Sequence, residues 1–513
     1  MKNLRHAAPA RTALRAIVAA IALTVGCAPA AFAQPTAAAP GGPATFTLRA
    51  PVVTRHTGTF NGSKVTFYAK VEGLDVADAE GKHGARLVSF AYTADSVAGR
   101  KVAAASRPVL FLFNGGPISA SPYLHMGSFG PQRVFVPDDT AADPFTWTLK
   151  DNPYSLLDVA DLVFIDPAGT GFSRVVPGKD PTDYYSVVAD GQQVAAFVSA
   201  WLSRNGRLAS PKFVFGESYG TMRAVEIGRQ LAALPQPILL DGIVLFGQAV
   251  NIAEYAQRPR NILSYVLSLP TLAATAWHHG KVDRAGRSVE QFIQAARDFA
   301  RDEYLDALYR GNTLPEAERQ RIAKALEGYS GISAAWYLEH DLRITKEMYR
   351  VELFRDAKLL LGRNDMRYTA PLTDKGTAVD PSGVLPNAME KAFRSYLRDT
   401  LRVDWDEPYV LQAAVKGLEG WGWGGTTPFS DWPYVDSVGE LMRKNPAFRV
   451  MLGTGYFDSQ TTLGGAEYAA TQSGWPRDRT WVREYPGGHM AYSIDATAQA
   501  LGNDLRAFMS GKR

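Results

Sequence analysis

The stretch Gly216-Glu217-Ser218-Tyr219-Gly220 constrains this chain more than any other. It follows a short apolar run, Lys212 to Phe215, and precedes a segment that reads as a helix, Thr221 to Leu234. A strand that turns straight into a helix needs a bend so tight that side chains two residues either side of its apex would collide. Glycine there removes the obstacle. The following helix aims its N-terminus at the apex, where its dipole favours negative charge. Five-residue spacings of this kind arise by chance in a chain with 46 glycines. A strand before and a helix after turn the spacing into a nucleophile elbow and make Ser218 a candidate nucleophile.

The surrounding pattern supplies a sheet for that elbow. From Phe46 to about Ser96, alternating segments such as Lys64 to Lys70 predict antiparallel strands. Val109 to Phe113, Leu162 to Ile165, Phe213 to Phe215 and Ile243 to Phe246 are short apolar runs, as buried parallel strands are. Helical segments such as Val188 to Ser203 separate them. Residues 251–395 are charged and helical in period, and they predict a helical cap inserted over the strand ends. Strands resume with Phe448 to Leu452 and Thr480 to Glu484. The expectation is an α/β fold, with a mostly parallel central sheet, an N-terminal antiparallel β segment and a helical cap insertion. The catalytic unit would comprise residues 46–250 and 396–513, after a flexible Ala-, Pro- and Gly-rich leader over residues 34–45.

The first 33 residues read as an export signal. Lys2, Arg5, Arg11 and Arg15 precede an apolar stretch, Ala16 to Gly26, and Ala31-Phe32-Ala33 is a small-x-small cleavage site. Cleavage would start the mature chain at Gln34. All four cations of the +4 net charge lie in this segment, so the remainder balances at 51 of each sign. No basic patch points to nucleic acid, and no later apolar run is long enough to span a membrane. The single cysteine, Cys27, also lies in the signal. A disulfide-free exported chain of this size fits a bacterial periplasm better than a eukaryotic secretory route. Thr24-Val25-Gly26-Cys27 also resembles a lipoprotein signal, with Thr24 where Leu is usual.

Ser218 needs a general base and a group to orient that base. In α/β-hydrolases the chain order is Ser, then Asp or Glu, then His. Of the four downstream histidines, His278, His279 and His340 fall in the helical insertion. His489 stands in a glycine-rich loop after a strand, which can present an imidazole. Asp458 follows the strand Phe448 to Leu452 and precedes His489 by 31 residues, whereas Asp436 and Glu440 sit before that strand in a predicted helix. An oxyanion hole requires two backbone N–H groups, one from Tyr219 and one from the loop Asn114-Gly115-Gly116-Pro117, with Gly116 the expected donor. No cluster with metal-ligand spacing is visible and no organic cofactor is needed.

Several further motifs appear in order: Gly130-Pro131, Asn152-Pro153-Tyr154-Ser155, Asp166-Pro167-Ala168-Gly169-Thr170-Gly171-Phe172-Ser173 and Gly488-His489-Met490. With the elbow, Asn114 to Pro117 and Asp458, they make the chain resemble the serine carboxypeptidase family of α/β-hydrolases, and most closely its bacterial exported members. The resemblance implies a peptide substrate whose terminal carboxylate is bound by Asn114 and Glu217. A carboxyl group donates a hydrogen bond to a carboxylate only while protonated, so Glu217 needs a raised pKa and peptide cleavage is expected to favour acid pH. Two positions depart from the family pattern. Ile118 stands where glycine is usual, and Ser128 where a second glutamate is frequent. The missing carboxyl predicts a less acidic optimum or a weaker demand for a free terminus. An esterase or amidase on the same scaffold, or a binding protein with a decayed site, are the rival expectations. Trp421 and Trp423 are candidates to line the side-chain pocket, or to pack the core.

Overall fold

The computed structural model describes residues 49–512 except 78–80, 373–379, 414, 416 and 426–428. The export signal and leader read from the sequence lie outside the described residues. Nine strands form the main path of one sheet: β1 Val52–Phe60, β2 Ser63–Ala77, β3 His83–Val97, β4 Val109–Phe113, β5 Asp161–Ile165, β6 Lys212–Glu217, β7 Gly242–Phe246, β8 Arg449–Gly455 and β9 Thr480–Tyr485. Their order across the sheet is β1-β2-β3-β5-β4-β6-β7-β8-β9, and two two-residue strands pair with β3. The first three pair antiparallel and β3 meets β5 antiparallel. From β5 to β9 every pairing is parallel.

β4, β5, β6 and β7 are buried at every position, because both faces of the sheet are covered. On one face lie the helices α1 Val187–Arg204 and α2 Gly220–Ala232, which contribute Val194, Phe197, Trp201, Val225 and Ile227 to a core with Phe111, Val214 and Ile243. The other face packs Phe90, Leu112, Phe215 and Phe246 into a second core.

The segment between β7 and β8 divides in two by packing. Helices α3 Ile262–His278, α4 Val289–Phe299 and α5 Glu316–Ser330 enclose a separate apolar cluster with Tyr304, Tyr337 and Tyr349, joined by Tyr456 and Phe457 from the end of β8. The segment also holds a short hairpin, Leu359–Leu361 against Thr369–Pro371. Helix α6 Val384–Asp399 belongs elsewhere. Its Leu385, Met389, Phe393 and Tyr396 join the core of the antiparallel strands, with Phe393 edge-on to Phe90 at 5.2 Å. Helical period marked residues 251–395 as one insertion, but period does not reveal which surface a helix's apolar face will meet.

Candidate active site

Ser218 occupies the turn between β6 and α2 with φ +57°, a conformation an ordinary side chain adopts only under constraint. The constraint is local. Its N–H donates to the Phe246 carbonyl at the end of β7 (2.8 Å), and its carbonyl accepts from Thr221 Oγ1 (2.7 Å). A Cβ on Gly216 would lie 2.1 Å from the Gly220 carbonyl oxygen, so the turn closes only with glycine. Gly115 is pressed as closely against the elbow: a Cβ there would sit 2.7 Å from the Tyr219 nitrogen and 2.9 Å from Ser218 Cβ. The loop after β4 therefore lies directly on the turn, and Gly116 follows with φ +114°. Ile118 holds φ +51° with its side chain fully buried, so it keeps a left-handed backbone without being glycine.

A buried ion pair braces this loop from beneath. Arg223 Nε donates to Asp190 Oδ2 (2.6 Å), which also accepts from the Tyr219 hydroxyl (2.9 Å), while Arg223 Nη1 donates to the Asn114 carbonyl (2.7 Å). Trp421 and Trp423 lie edge-on to the Tyr219 ring at 5.2 and 6.1 Å, so both tryptophans back the elbow. Asn114, buried, accepts the Leu124 N–H on its Oδ1 (3.1 Å) and donates through Nδ2 to Glu217 Oε2. Glu217 Oε1 accepts from the Tyr492 hydroxyl (2.9 Å). Burial pushes the Glu217 carboxyl up to about 7, against the lowering influence of a nearby His489 charge and of its two hydrogen bonds.

His489 and Asp458 meet above the ends of β8 and β9. His489 Nδ1 lies 2.7 Å from Asp458 Oδ2, and both residues are buried. Asp458 Oδ1 accepts the N–H groups of Gln460 (2.7 Å) and Thr461 (3.1 Å), and Thr461 Oγ1 donates to Oδ2. Burial works to lower the His489 pKa, and the Asp458 charge and hydrogen bond, with the Glu217 charge, outweigh it and leave it raised. The imidazole stands over Gly247, the residue after β7, where a Cβ would lie 3.0 Å from Cε1. Because Phe246 holds the Ser218 N–H, the end of β7 is common ground for serine and imidazole.

The other histidines are packed elsewhere. His279 Nε2 bonds the Met366 carbonyl (2.8 Å), His278 packs on Phe457, and His340 stacks on Trp336 at 3.7 Å. Asp436 and Glu440 are exposed on helix α7 Tyr434–Lys444.

Sequence reasoning missed the strap that holds the two catalytic candidates together. Residues 363–366 come from the segment between β7 and β8 and bond both loops. The Arg363 carbonyl accepts from Ser459 Oγ (2.7 Å), Asn364 Oδ1 from Gln460 Nε2 (2.6 Å), and the Met366 N–H donates to Phe457 O (3.0 Å). On the histidine side, the Asn364 carbonyl accepts the His489 N–H (2.5 Å), and Asp365 Oδ2 accepts the Gly488 N–H (3.0 Å). Asp365 is itself held by Arg367 (2.7 Å). These partners lie about a hundred residues apart, beyond any local spacing signal. Tyr492 was nearer to hand, three residues past His489 in the same loop.

Among the described residues, no group of three or more His, Cys, Asp or Glu side chains is placed to hold a metal ion, and no helix is long and apolar enough to cross a membrane.

Residues 90–245, from within β3 almost to the end of β7, match the family model of the serine carboxypeptidases. The family resemblance therefore holds over the segment that carries Asn114, Glu217 and Ser218, while Asp458 and His489 lie outside it. No curated protein sequence matches the chain significantly. Solved structures that overlap it include the proline iminopeptidase of Mycobacterium smegmatis (13% identity, 86% of this chain and 98% of that one, TM-score 0.36). An esterase of Pyrococcus furiosus (10%, 86% and 91%, 0.33) and a thermostable carboxyl esterase of Bacillus coagulans (11%, 86% and 98%, 0.34) also overlap it. Strand order and the elbow, rather than these distant overlaps, carry the α/β-hydrolase fold.

Proposed function

We propose that this chain, a serine hydrolase, is an exported carboxypeptidase that removes C-terminal residues from peptides through an acyl-enzyme. The observation that carries this reading is the buried Glu217 carboxyl beside the nucleophile, paired with the Asn114 amide and pushed up to about 7. A carboxyl held there, next to Ser218, suits a substrate that brings its own carboxylate to within one residue of the scissile bond.

In this reading Ser218 Oγ attacks the scissile carbonyl as His489 Nε2 takes its proton. Asp458 accepts the Nδ1 hydrogen bond and stabilises the imidazolium. The N–H groups of Gly116 and Tyr219 hold the tetrahedral oxyanion, each such donor contributing about 3 kcal/mol. The imidazolium then protonates the leaving amine, the C–N bond breaks, and the new free amino acid departs. Water, activated by the same imidazole, hydrolyses the ester and restores Ser218.

The pH dependence follows from two protons. His489 must be neutral to act as base, and its raised pKa makes activity fall as pH drops below it. Glu217 must be protonated to donate to the terminal carboxylate, so activity on free-acid peptides falls as pH rises through about 7. The two groups interact, so the limbs belong to the pair. Hydrolysis of an N-blocked dipeptide is therefore expected to peak near neutrality, whereas its ethyl ester, lacking the carboxylate, shows only the acid limb. Measuring both from pH 4 to 9, with the C-terminal amide alongside, tests the reading. A peptide optimum sharply below pH 5, or an amide cleaved as fast as the acid, would contradict it.

The strap gives a further expectation. Asp365→Ala frees the Gly488 N–H and leaves Arg367 without its partner, letting the histidine loop drift. A misplacement of about 1 Å is enough to lower kcat by about 100-fold. The loss is expected in kcat with little change in KM, on peptide and ester alike, and steady-state kinetics on both substrates checks it.

A further inference from the structure

Tyr492 has no role in the chemistry above, yet it is fully buried with its hydroxyl 2.9 Å from Glu217 Oε1. It lies on the loop that presents His489. Its ring packs on Phe246, at 5.6 Å between centroids, and on the backbone of Gly127, where an added Cβ would lie 2.7 Å from Tyr492 Cε2. Gly127 precedes Ser128, the buried position at which the family resemblance would place a second carboxyl. The tyrosine ring thus rests against the segment in which Ser128 stands where the resemblance implies a second carboxyl, and its hydroxyl reaches Glu217.

We propose that Tyr492 is a specificity-determining residue that binds the substrate's terminal carboxylate together with Glu217 and Asn114, in place of the second acid. The proposal rests on the carboxypeptidase reading and deepens it. With Asn114 on Oε2 and Tyr492 on Oε1, both oxygens of Glu217 are engaged while it is ionised. When a free-acid peptide enters, protonated Glu217 donates to one terminal oxygen and the Tyr492 O–H turns to the other. A hydroxyl donates to an anion without first taking up a proton, which a second carboxyl could not do. Recognition then depends on one titrating acid instead of two, and it persists toward neutral pH.

The groups that face Glu217 come from several loops. Asn114 and Tyr123 follow β4, Asp458 follows β8, and His489 and Tyr492 follow β9. Of these, Tyr492 and Asn114 favour the ionised form by hydrogen bonding, as a charged His489 does through space, and Asp458 opposes it.

The test is Tyr492→Phe, which keeps the ring and removes only the oxygen. With an N-blocked dipeptide and its ethyl ester as probes, the kcat/KM preference for the free acid is expected to fall at least about tenfold at pH 6. Loss of the hydrogen bond also raises the Glu217 pKa, so the alkaline limb of the remaining peptide activity is expected at higher pH than in the parent. A preference within twofold of the parent, or an unshifted limb, would overturn the proposal. Equal loss on both substrates would also overturn it, reducing Tyr492 to a support for the His489 loop. A parent enzyme that cleaves the C-terminal amide as fast as the free acid would instead overturn the carboxypeptidase reading itself, and this proposal with it.

Discussion

Replacing Ser218 by alanine is expected to lower kcat on peptide and ester by on the order of a million-fold, with labelling by a fluorophosphonate lost as well. The elbow gives the reason. Ser218 is held at φ +57° by the Phe246 carbonyl and by Thr221, over a turn that only glycines allow. That strain is maintained by the fold, and the end of β7 that fixes the Ser218 N–H also lies beneath the His489 imidazole. Alanine fits the same turn, so the variant should fold normally and lose only the oxygen proposed to form the acyl bond. Rates of substrate cleavage, with the thermal unfolding midpoint as the control, check both halves. Retention of more than about a thousandth of the parental rate would mean that another nucleophile does the work.

The second large effect is expected from Asp458→Asn, on the order of ten-thousand-fold in kcat. Its cause can be read from the hydrogen bonds. The N–H groups of Gln460 and Thr461 both point at Oδ1, and they would hold the amide oxygen of an asparagine in that place. The amide nitrogen then replaces Oδ2 and faces His489 Nδ1 with hydrogens. To accept from it, Nδ1 must give up its own proton, which moves to Nε2. An Nε2 that already carries a proton cannot take one from Ser218. Size and packing are preserved, so the loss should appear in kcat at every pH at which the parent is active. Parental kcat would place the orienting carboxylate elsewhere.

Much of the fold was legible because buried parallel strands announce themselves. Val109 to Phe113 and Ile243 to Phe246 are runs with no polar break, and the structure buries every residue of both strands. The elbow was legible because its geometry demands glycine at fixed offsets. His489 and Asp458 emerged from chain order and elimination, and the structure brings their side chains together at 2.7 Å. What stayed hidden was contact between distant segments. Nothing in the period of Val384–Asp399 says that Phe393 will meet Phe90. Nothing in the polar run Arg363-Asn364-Asp365 says that it will bond both loops. Ser128 stands out in the sequence as a departure from the family pattern, but the neighbouring Tyr492 ring is visible only in three dimensions.

The proposed function requires this hydrolase to read a peptide's free C-terminus. The most direct test is a time course of masses for a peptide of about ten residues incubated with the enzyme at pH 6, beside the same peptide with an amidated C-terminus. Stepwise losses matching the C-terminal residues one at a time, from the free acid and not from its amidated twin, are the predicted result. Internal fragments, or equal trimming of both peptides, would contradict it.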